Sequence, residues 1–121
     1  MVWRRTAQSL AAVVMAAAWG SASSPAVADE TGLASMHEWV KVRGAICYAD
    51  HTHYASSVGH RDKKSAMAAA VKSWVEFTAW EYGTTWANYN RATAKKADCK
   101  QSSSGWSCDI EARPCRSTGR R

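Results

Sequence analysis

The sequence predicts a small α+β domain: a β-α-β-β layer in which one helix packs on a short antiparallel sheet, stabilised by disulfides. Three observations predict this fold. Residues 37–49 alternate apolar and polar side chains, residues 62–83 repeat apolar side chains every three or four positions, and two further alternating runs flank a serine-rich turn at 102–105. The order strand, helix, strand, strand places the helix on one face of the sheet.

The first 28 residues have the features of a cleaved signal peptide. Two arginines lie near the start, residues 7–19 form a short apolar run, and residues 26–28 (Ala-Val-Ala) are the small residues that a signal peptidase needs. A membrane anchor is the alternative, but Gly20 and Ser21 interrupt the run before the roughly 20 apolar residues that a span requires. Cleavage after Ala28 would lower the net charge from +6 to +4.

The chain is therefore expected to divide into four segments. The hydrophobic core of a domain this small gives only marginal stability, so covalent cross-links become valuable. The segments are the signal peptide (1–28), a flexible N-terminus (29–36), a single α+β domain (37–116) and a basic tail (117–121).

The first predicted strand occupies residues 37–49. Gly44 interrupts its apolar face and indicates a bulge or the close approach of another element. Residues 50–61 are polar and rich in histidine, and they predict a loop. The apolar face of the strand carries the even-numbered residues Val40, Val42, Ile46 and Tyr48.

The predicted helix begins after Asp62 and ends before Gly83. Asp62 is a favourable N-cap residue, and Gly83 can adopt the left-handed conformation that ends many helices. Trp74 lies at the centre of the predicted buried stripe. The other members of this stripe are Met67, Ala70, Val71, Thr78 and Tyr82.

The turn at 102–105 predicts a β-hairpin. If the turn is centred between residues 103 and 104, residues whose numbers sum to 207 face each other across the hairpin, and Cys99 faces Cys108. This register brings Lys96 opposite Glu111, which is favourable, although it also opposes two aspartates.

Cysteine usage agrees with export. An even set of four cysteines in an oxidising compartment predicts two disulfides. The hairpin register favours a bridge from Cys99 to Cys108, which leaves Cys47 to pair with Cys115, and a Cys99 to Cys115 bridge is the main alternative. Loop-closure entropy predicts roughly 4 kcal/mol from the longer favoured bridge and about 2.5 kcal/mol from the shorter one.

A recognisable pattern extends from the helix toward the C-terminus. It consists of Ala66-x3-Ala70-x3-Trp74, Tyr82-Gly83-x2-Trp86, Cys99, Trp106-Ser-Cys108 and Ala112-Arg-Pro-Cys115. With this pattern the chain resembles small exported bacterial proteins of unknown function that have a helix followed by a cysteine-bearing β-hairpin. The resemblance covers roughly residues 44–116 and implies no activity.

The histidine-rich segment contains candidate metal ligands. Imidazole binds zinc or copper, and His51 and His53, two residues apart, could point the same way from an extended segment, with His60 farther along the chain. The alternative is a solvated polar loop in which Cys47 is oxidised and offers no thiolate. The sequence lacks an HExxH or CxxC motif, so we expect no metal and no cofactor, and metal binding is the alternative.

The sequence does not predict an enzyme. Cys47 and a loop histidine could in principle form a nucleophile and a base, but an exported cysteine in an even set is usually structural. Serines lack the glycine-bounded elbow of a nucleophile. The carboxylate pairs Glu76 with Glu81 and Asp109 with Glu111 lie on elements with surface patterns.

Basic residues along the second predicted strand form a candidate binding surface, although solvated surface charge is the alternative. Such a surface could meet an anionic envelope polymer, a membrane surface or an envelope protein, while export disfavours nucleic acid. We therefore expect a periplasmic or secreted, non-enzymatic binding or interaction module, with a periplasmic zinc or copper protein as the alternative function. The candidate surface consists of Arg91, Lys95, Lys96 and Lys100.

Overall fold

The structure, a computed structural model, describes residues 28–119 of the 121-residue chain. Residues 1–27 of the predicted signal peptide and the last two residues of the predicted basic tail lie outside the described residues. The described chain is α+β, with one α-helix and two three-stranded antiparallel sheets. In this part of the chain, no helix has the length and apolar character needed to cross a membrane.

The strands of the two sheets are interleaved along the chain. The smaller sheet has the strand order β1-β2-β6 and the larger sheet the order β3-β5-β4. Short 3-10 helices lie at Ala34–Met36 and Thr84–Trp86. The main elements are β1 (Trp39–Val42), β2 (Ala45–Tyr48), β3 (His53–His60), α1 (Lys63–Tyr82), β4 (Thr93–Ser102), β5 (Gly105–Arg113) and β6 (Cys115–Ser117).

The predicted single strand at 37–49 is wrong, because this segment is a hairpin of β1 and β2. Arg43 and Gly44 form its two-residue turn, with φ values of 48° and 79°. Positive φ at both positions is typical of a type I′ turn, whose twist matches that of the paired strands. Across this two-residue turn, the even-numbered residues of β1 lie on the same face as the odd-numbered residues of β2. Val40 therefore pairs with Cys47 and lies on the opposite face from Tyr48.

The predicted loop at 50–61 contains a strand, β3, and this strand completes the sheet beneath the helix. It pairs with β5, with Ser57 opposite Cys108. Small side chains on its inner face allow the helix to come close, and the Ser57 hydroxyl donates to the carbonyl of Ala66 at 2.6 Å. The strand of the larger sheet that precedes the helix is therefore β3, and residues 37–49 belong to the smaller sheet.

Helix α1 begins and ends as predicted. The Asp62 side chain accepts a hydrogen bond from the Ser65 backbone N–H at 2.7 Å, and Gly83, with φ of 102°, follows the last turn. The buried face packs on the larger sheet through its first two thirds and on the smaller core at its end. Its fully buried members are Ala66, Ala70, Trp74, Thr78 and Tyr82.

The hairpin of β4 and β5 has the predicted register, with Cys99 opposite Cys108 and Lys96 opposite Glu111. All four cysteines form disulfides, Cys47 with Cys115 and Cys99 with Cys108. The first bridge joins β2 to β6, and the second joins the two strands of the hairpin. Disulfides of this kind indicate a non-reducing environment.

Residues 29–36, the segment predicted to be a flexible N-terminus, form hydrogen bonds with the end of α1. The N–H of Thr31 donates to the carbonyl of Tyr82, and the N–H of Thr85 donates to the carbonyl of Asp29, both at 3.0 Å. Ala34 from this segment is fully buried beside Tyr48, Tyr82 and Trp86. This segment therefore helps to close a second, smaller core.

Candidate metal centre

His53 is the residue around which the candidate site is built. It is the first residue of β3, it is 3% exposed, and its inner-face position directs it toward α1. The Trp74 indole N–H donates to the His53 backbone carbonyl at 3.2 Å, so the helix holds this end of the strand directly. The strand and the helix therefore fix the position of the imidazole together.

The hydrogen bond to Nδ1 determines which ring nitrogen of His53 is available. Nδ1 lies 2.9 Å from the Thr78 hydroxyl oxygen. If Nδ1 carries the proton and donates to Thr78, the lone pair of Nε2 is free, which is the arrangement that orients most metal-binding histidines. Nε2 lies 3.1 Å from Glu81 Oε2, but it is buried and forms no aligned hydrogen bond with any described residue.

His51 lies beside His53 on the segment that joins β2 to β3. Their ring centroids are 5.0 Å apart, and Nε2 of His51 is also buried without a hydrogen-bond partner in the described structure. One ligand atom each from His51, His53 and Glu81 lie within 4.8 Å of one another. The structure therefore brings two of the three predicted histidines together with a carboxylate.

Glu81 is the residue of this cluster that the sequence analysis missed. Its position in the last turn of α1, three residues after Thr78, places both side chains near the same ring. The sequence pattern assigned Glu81 to a surface carboxylate pair with Glu76. The spacing of three residues between Thr78 and Glu81 indicated that their side chains share a helix face. The strand β3, which brings His53 to that face, was predicted as a loop.

The other predicted ligands lie outside the cluster. His60 is the last residue of β3 and pairs with Trp106, at the opposite end of the strand from His53. Cys47 is in a disulfide and offers no thiolate. The predicted set of His51, His53 and His60 is therefore not gathered into one site.

An aromatic wall borders the site on the side of the smaller core. The His53 ring stacks on Tyr82 with 4.9 Å between centroids, and the Tyr82 hydroxyl lies 3.2 Å from His37 Nε2. His37 in turn lies 4.8 Å from the His51 ring. Burial is the main cause that raises the pKa values of Tyr48 and Tyr82, so both phenols remain protonated at neutral pH.

Burial also keeps the two imidazoles neutral. It lowers the pKa of His53 to about 4, with smaller contributions from the neighbouring His51 and His37. The pKa of His51 is lowered by burial and by His37. Neutral imidazole is the form that binds a metal ion, so neither ring must lose a proton at neutral pH before it can act as a ligand.

A shallow depression of about 380 Å³ gives solvent access to the outer side of His51. His37, Tyr48 and Asp50 also line it. His53 lies deeper and does not line this depression. An ion could thus approach from the side of His51, which is partly exposed.

The four basic residues of the predicted binding surface are divided between two faces. A bulge in β4 separates Thr93 from Lys96. The Lys95 ammonium lies 4.9 Å from the centroid of the Tyr89 ring, and Arg91 borders a depression that Tyr89 also lines. Lys96 lies on the face away from the helix, 3.9 Å from Glu111, and Lys100 shares that face.

Comparisons of the chain with protein-family models, with curated proteins and with solved structures find no match. The resemblance to small exported bacterial proteins therefore stays a prediction. The chemistry of the site is interpreted from its own geometry.

Proposed function

We propose that this protein is an exported, periplasmic or secreted, non-enzymatic module that binds a divalent metal ion, Zn²⁺ or Cu²⁺, through His51, His53 and Glu81. The observation that carries this proposal is the buried Nε2 atom of His53, which faces the other two residues without an aligned hydrogen bond. With the proton on Nδ1, the Nε2 lone pair would face the Glu81 carboxylate oxygen 3.1 Å away, which is unfavourable. A cation bound to both atoms would remove this repulsion.

The three side chains suit these two ions. Two imidazoles and one carboxylate form a ligand set used by zinc, with a water molecule in the fourth position. Zinc bonds of roughly 2.0 to 2.1 Å in a tetrahedral site place ligand atoms about 3.4 Å apart. His53 Nε2 and Glu81 Oε2 are already 3.1 Å apart, and the three ligand atoms lie within 4.8 Å of one another, so a wider separation must shorten by up to about 1.4 Å.

This contraction can come from His51, while the Glu81 side chain can adjust its orientation. His53 is fixed between Thr78 and Trp74, whereas His51 lies outside the strands and Glu81 has a long side chain that is 24% exposed. Because Glu81 already lies beside the fixed His53 imidazole, movement of His51 toward this pair would close the site. Copper generally binds nitrogen and oxygen ligands more tightly than zinc does, so Cu²⁺ is expected to show the higher affinity in vitro.

Isothermal titration of the chelator-treated protein with Zn²⁺ and with Cu²⁺ tests the proposal. We expect one ion per chain, and we expect His51→Ala or Glu81→Gln to weaken binding by about tenfold or more. His60→Ala is the matched control, because His60 lies on the same strand as His53 but outside the cluster. Equal affinities for the wild type, His51→Ala and His60→Ala would refute the site.

The orienting role of Thr78 allows a more specific measurement. Thr78→Val removes the hydroxyl beside Nδ1 of His53 but leaves all three ligand side chains in place. We expect a loss of about 10-fold to 100-fold in metal affinity. Thr78→Ser should retain most of the affinity because it keeps the hydroxyl.

A further inference from the structure

A separate surface lies near the start of helix α1, away from the histidine cluster. The N-terminal half of α1 and the loop at residues 89–90 border an open apolar groove of about 860 Å³. Its apolar lining includes Met67, Val71 and Tyr89. Three lysines, Lys63, Lys64 and Lys72, also line the groove.

The charged residues that line this groove are all lysines. Lys95 adds a fourth ammonium group, because its Nζ lies over the Tyr89 ring and donates to the Asn90 carbonyl at 3.3 Å. Lys72 lies 3.7 Å from Glu76, whereas no carboxylate of residues 28–119 forms an ion pair with Lys63, Lys64 or Lys95.

We propose that this groove binds a single-chain anionic lipid, with the acyl chain on the apolar floor and the headgroup among the lysines. The groove is wide and open, so a single acyl chain can lie along its apolar floor. Met67 and Val71 are only partly exposed, whereas insertion into a bilayer would require protruding apolar side chains. Residues 63 to 72 span roughly 14 Å along the helix axis, which accommodates a chain of short to medium length. This proposal is independent of the metal site.

The lining also favours a lipid over an extended peptide. An extended peptide would need partners for its backbone N–H and C=O groups, and the helix that forms most of the floor has already used its own. An acyl chain has no such groups and gains free energy from each methylene that leaves water. The apolar floor and lysine rim thus match both parts of an anionic amphiphile.

Titration calorimetry with dodecanoate, below its micelle concentration and at low salt, tests this proposal. Dodecyl maltoside, which has the same chain with an uncharged headgroup, and dodecyltrimethylammonium are the ligand controls. We expect one dodecanoate per chain and affinity at least about tenfold lower for both controls, because only the anion pairs with the lysine rim. Added salt should weaken dodecanoate binding.

Paired charge reversals identify the surface. Lys64→Glu with Lys95→Glu should weaken dodecanoate binding by about tenfold or more, while Lys96→Glu with Lys100→Glu, equal in charge but on the other face of the sheet, should change it by less than about twofold. Val71→Asp should also weaken binding by placing a carboxylate on the floor. Circular dichroism checks that each variant is folded.

Several results would overturn the proposal. They are the absence of dodecanoate binding, equal binding of the three amphiphiles, equal losses from the two pairs of charge reversals, or tighter binding of an acidic amphipathic peptide than of dodecanoate. If Val71→Asp does not fold, the surface lysine variants decide the question. His51→Ala should retain dodecanoate binding, which separates this site from the metal centre.

Discussion

At the residue scale, Trp74 has the clearest energetic role. Its ring is fully buried in the core under the larger sheet, and its N–H donates to the carbonyl of His53. Trp74→Ala should therefore lower the free energy of unfolding by roughly 3 to 5 kcal/mol, measured by urea denaturation. Trp80→Ala is the control, because Trp80 is 75% exposed on the same helix and its loss should have little effect. Equal effects would contradict the observed helix face.

Gly83 has a packing requirement as well as a conformational one. Its φ of 102° is unfavourable for other residues, and a Cβ atom there would clash with the backbone of Asp29. Gly83→Ala should destabilise the protein by about 2 kcal/mol or more.

Gly44→Ala provides the comparison for this prediction. Gly44 also has a positive φ, but a Cβ atom added there would meet nothing within 4 Å. It should therefore lose only about 1 kcal/mol, which reflects the backbone conformation alone. Thermal unfolding of both variants would measure the difference, and equal losses would show that the N-terminal segment does not press on Gly83.

The candidate site could be predicted only in part, for reasons that are visible at single residues. The spacing of His51 and His53 was sufficient to suggest that two imidazoles meet. Glu81 and Thr78 come from an element far away in sequence, and their role depends on how α1 lies across β3. No local pattern contains that information. His60 was grouped with the other two by composition, but the length of β3 separates it from them.

At the element scale, the N-cap of α1 predicts a specific pH dependence. The Ser65 backbone N–H is the main cause that lowers the pKa of Asp62 below its usual 3.8. A carboxyl group with a lowered folded pKa contributes stability above its unfolded pKa, and this contribution disappears as the pH falls through the folded value. Thermal unfolding should therefore show Asp62→Ala to be less stable than the wild type at pH 7. The difference should shrink below pH 4, whereas Asp62→Asn should be less sensitive to pH in this range.

The elements predicted correctly are those whose signals are local. Asp62 and Gly83 define the helix, and the serine-rich turn defines the register of β4 and β5. Strand β3 was missed because His53, Ser56 and Ser57 have no strong strand preference, and their pairing comes from β5, about 50 residues later. The β1–β2 turn was missed because Arg43 gives no sign of a positive φ.

The two disulfides differ in the chain length that they close, and their contributions should differ accordingly. Cys47 and Cys115 are 68 residues apart in sequence, and Cys99 and Cys108 are 9 apart. Loop-closure entropy predicts a loss of roughly 4 kcal/mol for Cys47→Ala with Cys115→Ala, and about 2.5 kcal/mol for the other pair. Urea denaturation of the two double variants tests this order. A larger loss from the hairpin bridge would show that packing, rather than loop closure, dominates.

At the scale of the whole molecule, the fold consists of two cores that share one helix. The larger core lies between α1 and the sheet β3-β5-β4, and the smaller core surrounds Tyr48, Tyr82 and Trp86. The His53 ring stacks on Tyr82 of the smaller core, while its carbonyl accepts from Trp74 of the larger core. A metal ion held by His51, His53 and Glu81 would therefore bind where the two cores meet. Its binding free energy would then stabilise both.

This division predicts that the smaller sheet can open without the larger one. The smaller core contains few buried residues, and the Cys47 to Cys115 disulfide joins β2 to β6 within its sheet. In the variant Cys47→Ala with Cys115→Ala, hydrogen exchange should accelerate for the amides of residues 39–48 and change much less for residues 105–112. The reason is that local opening requires less free energy than global unfolding. The variant lacking the hairpin disulfide should not show this selective loss at residues 39–48. Uniform acceleration across both sheets in the first variant would instead show that the two cores unfold as one cooperative unit.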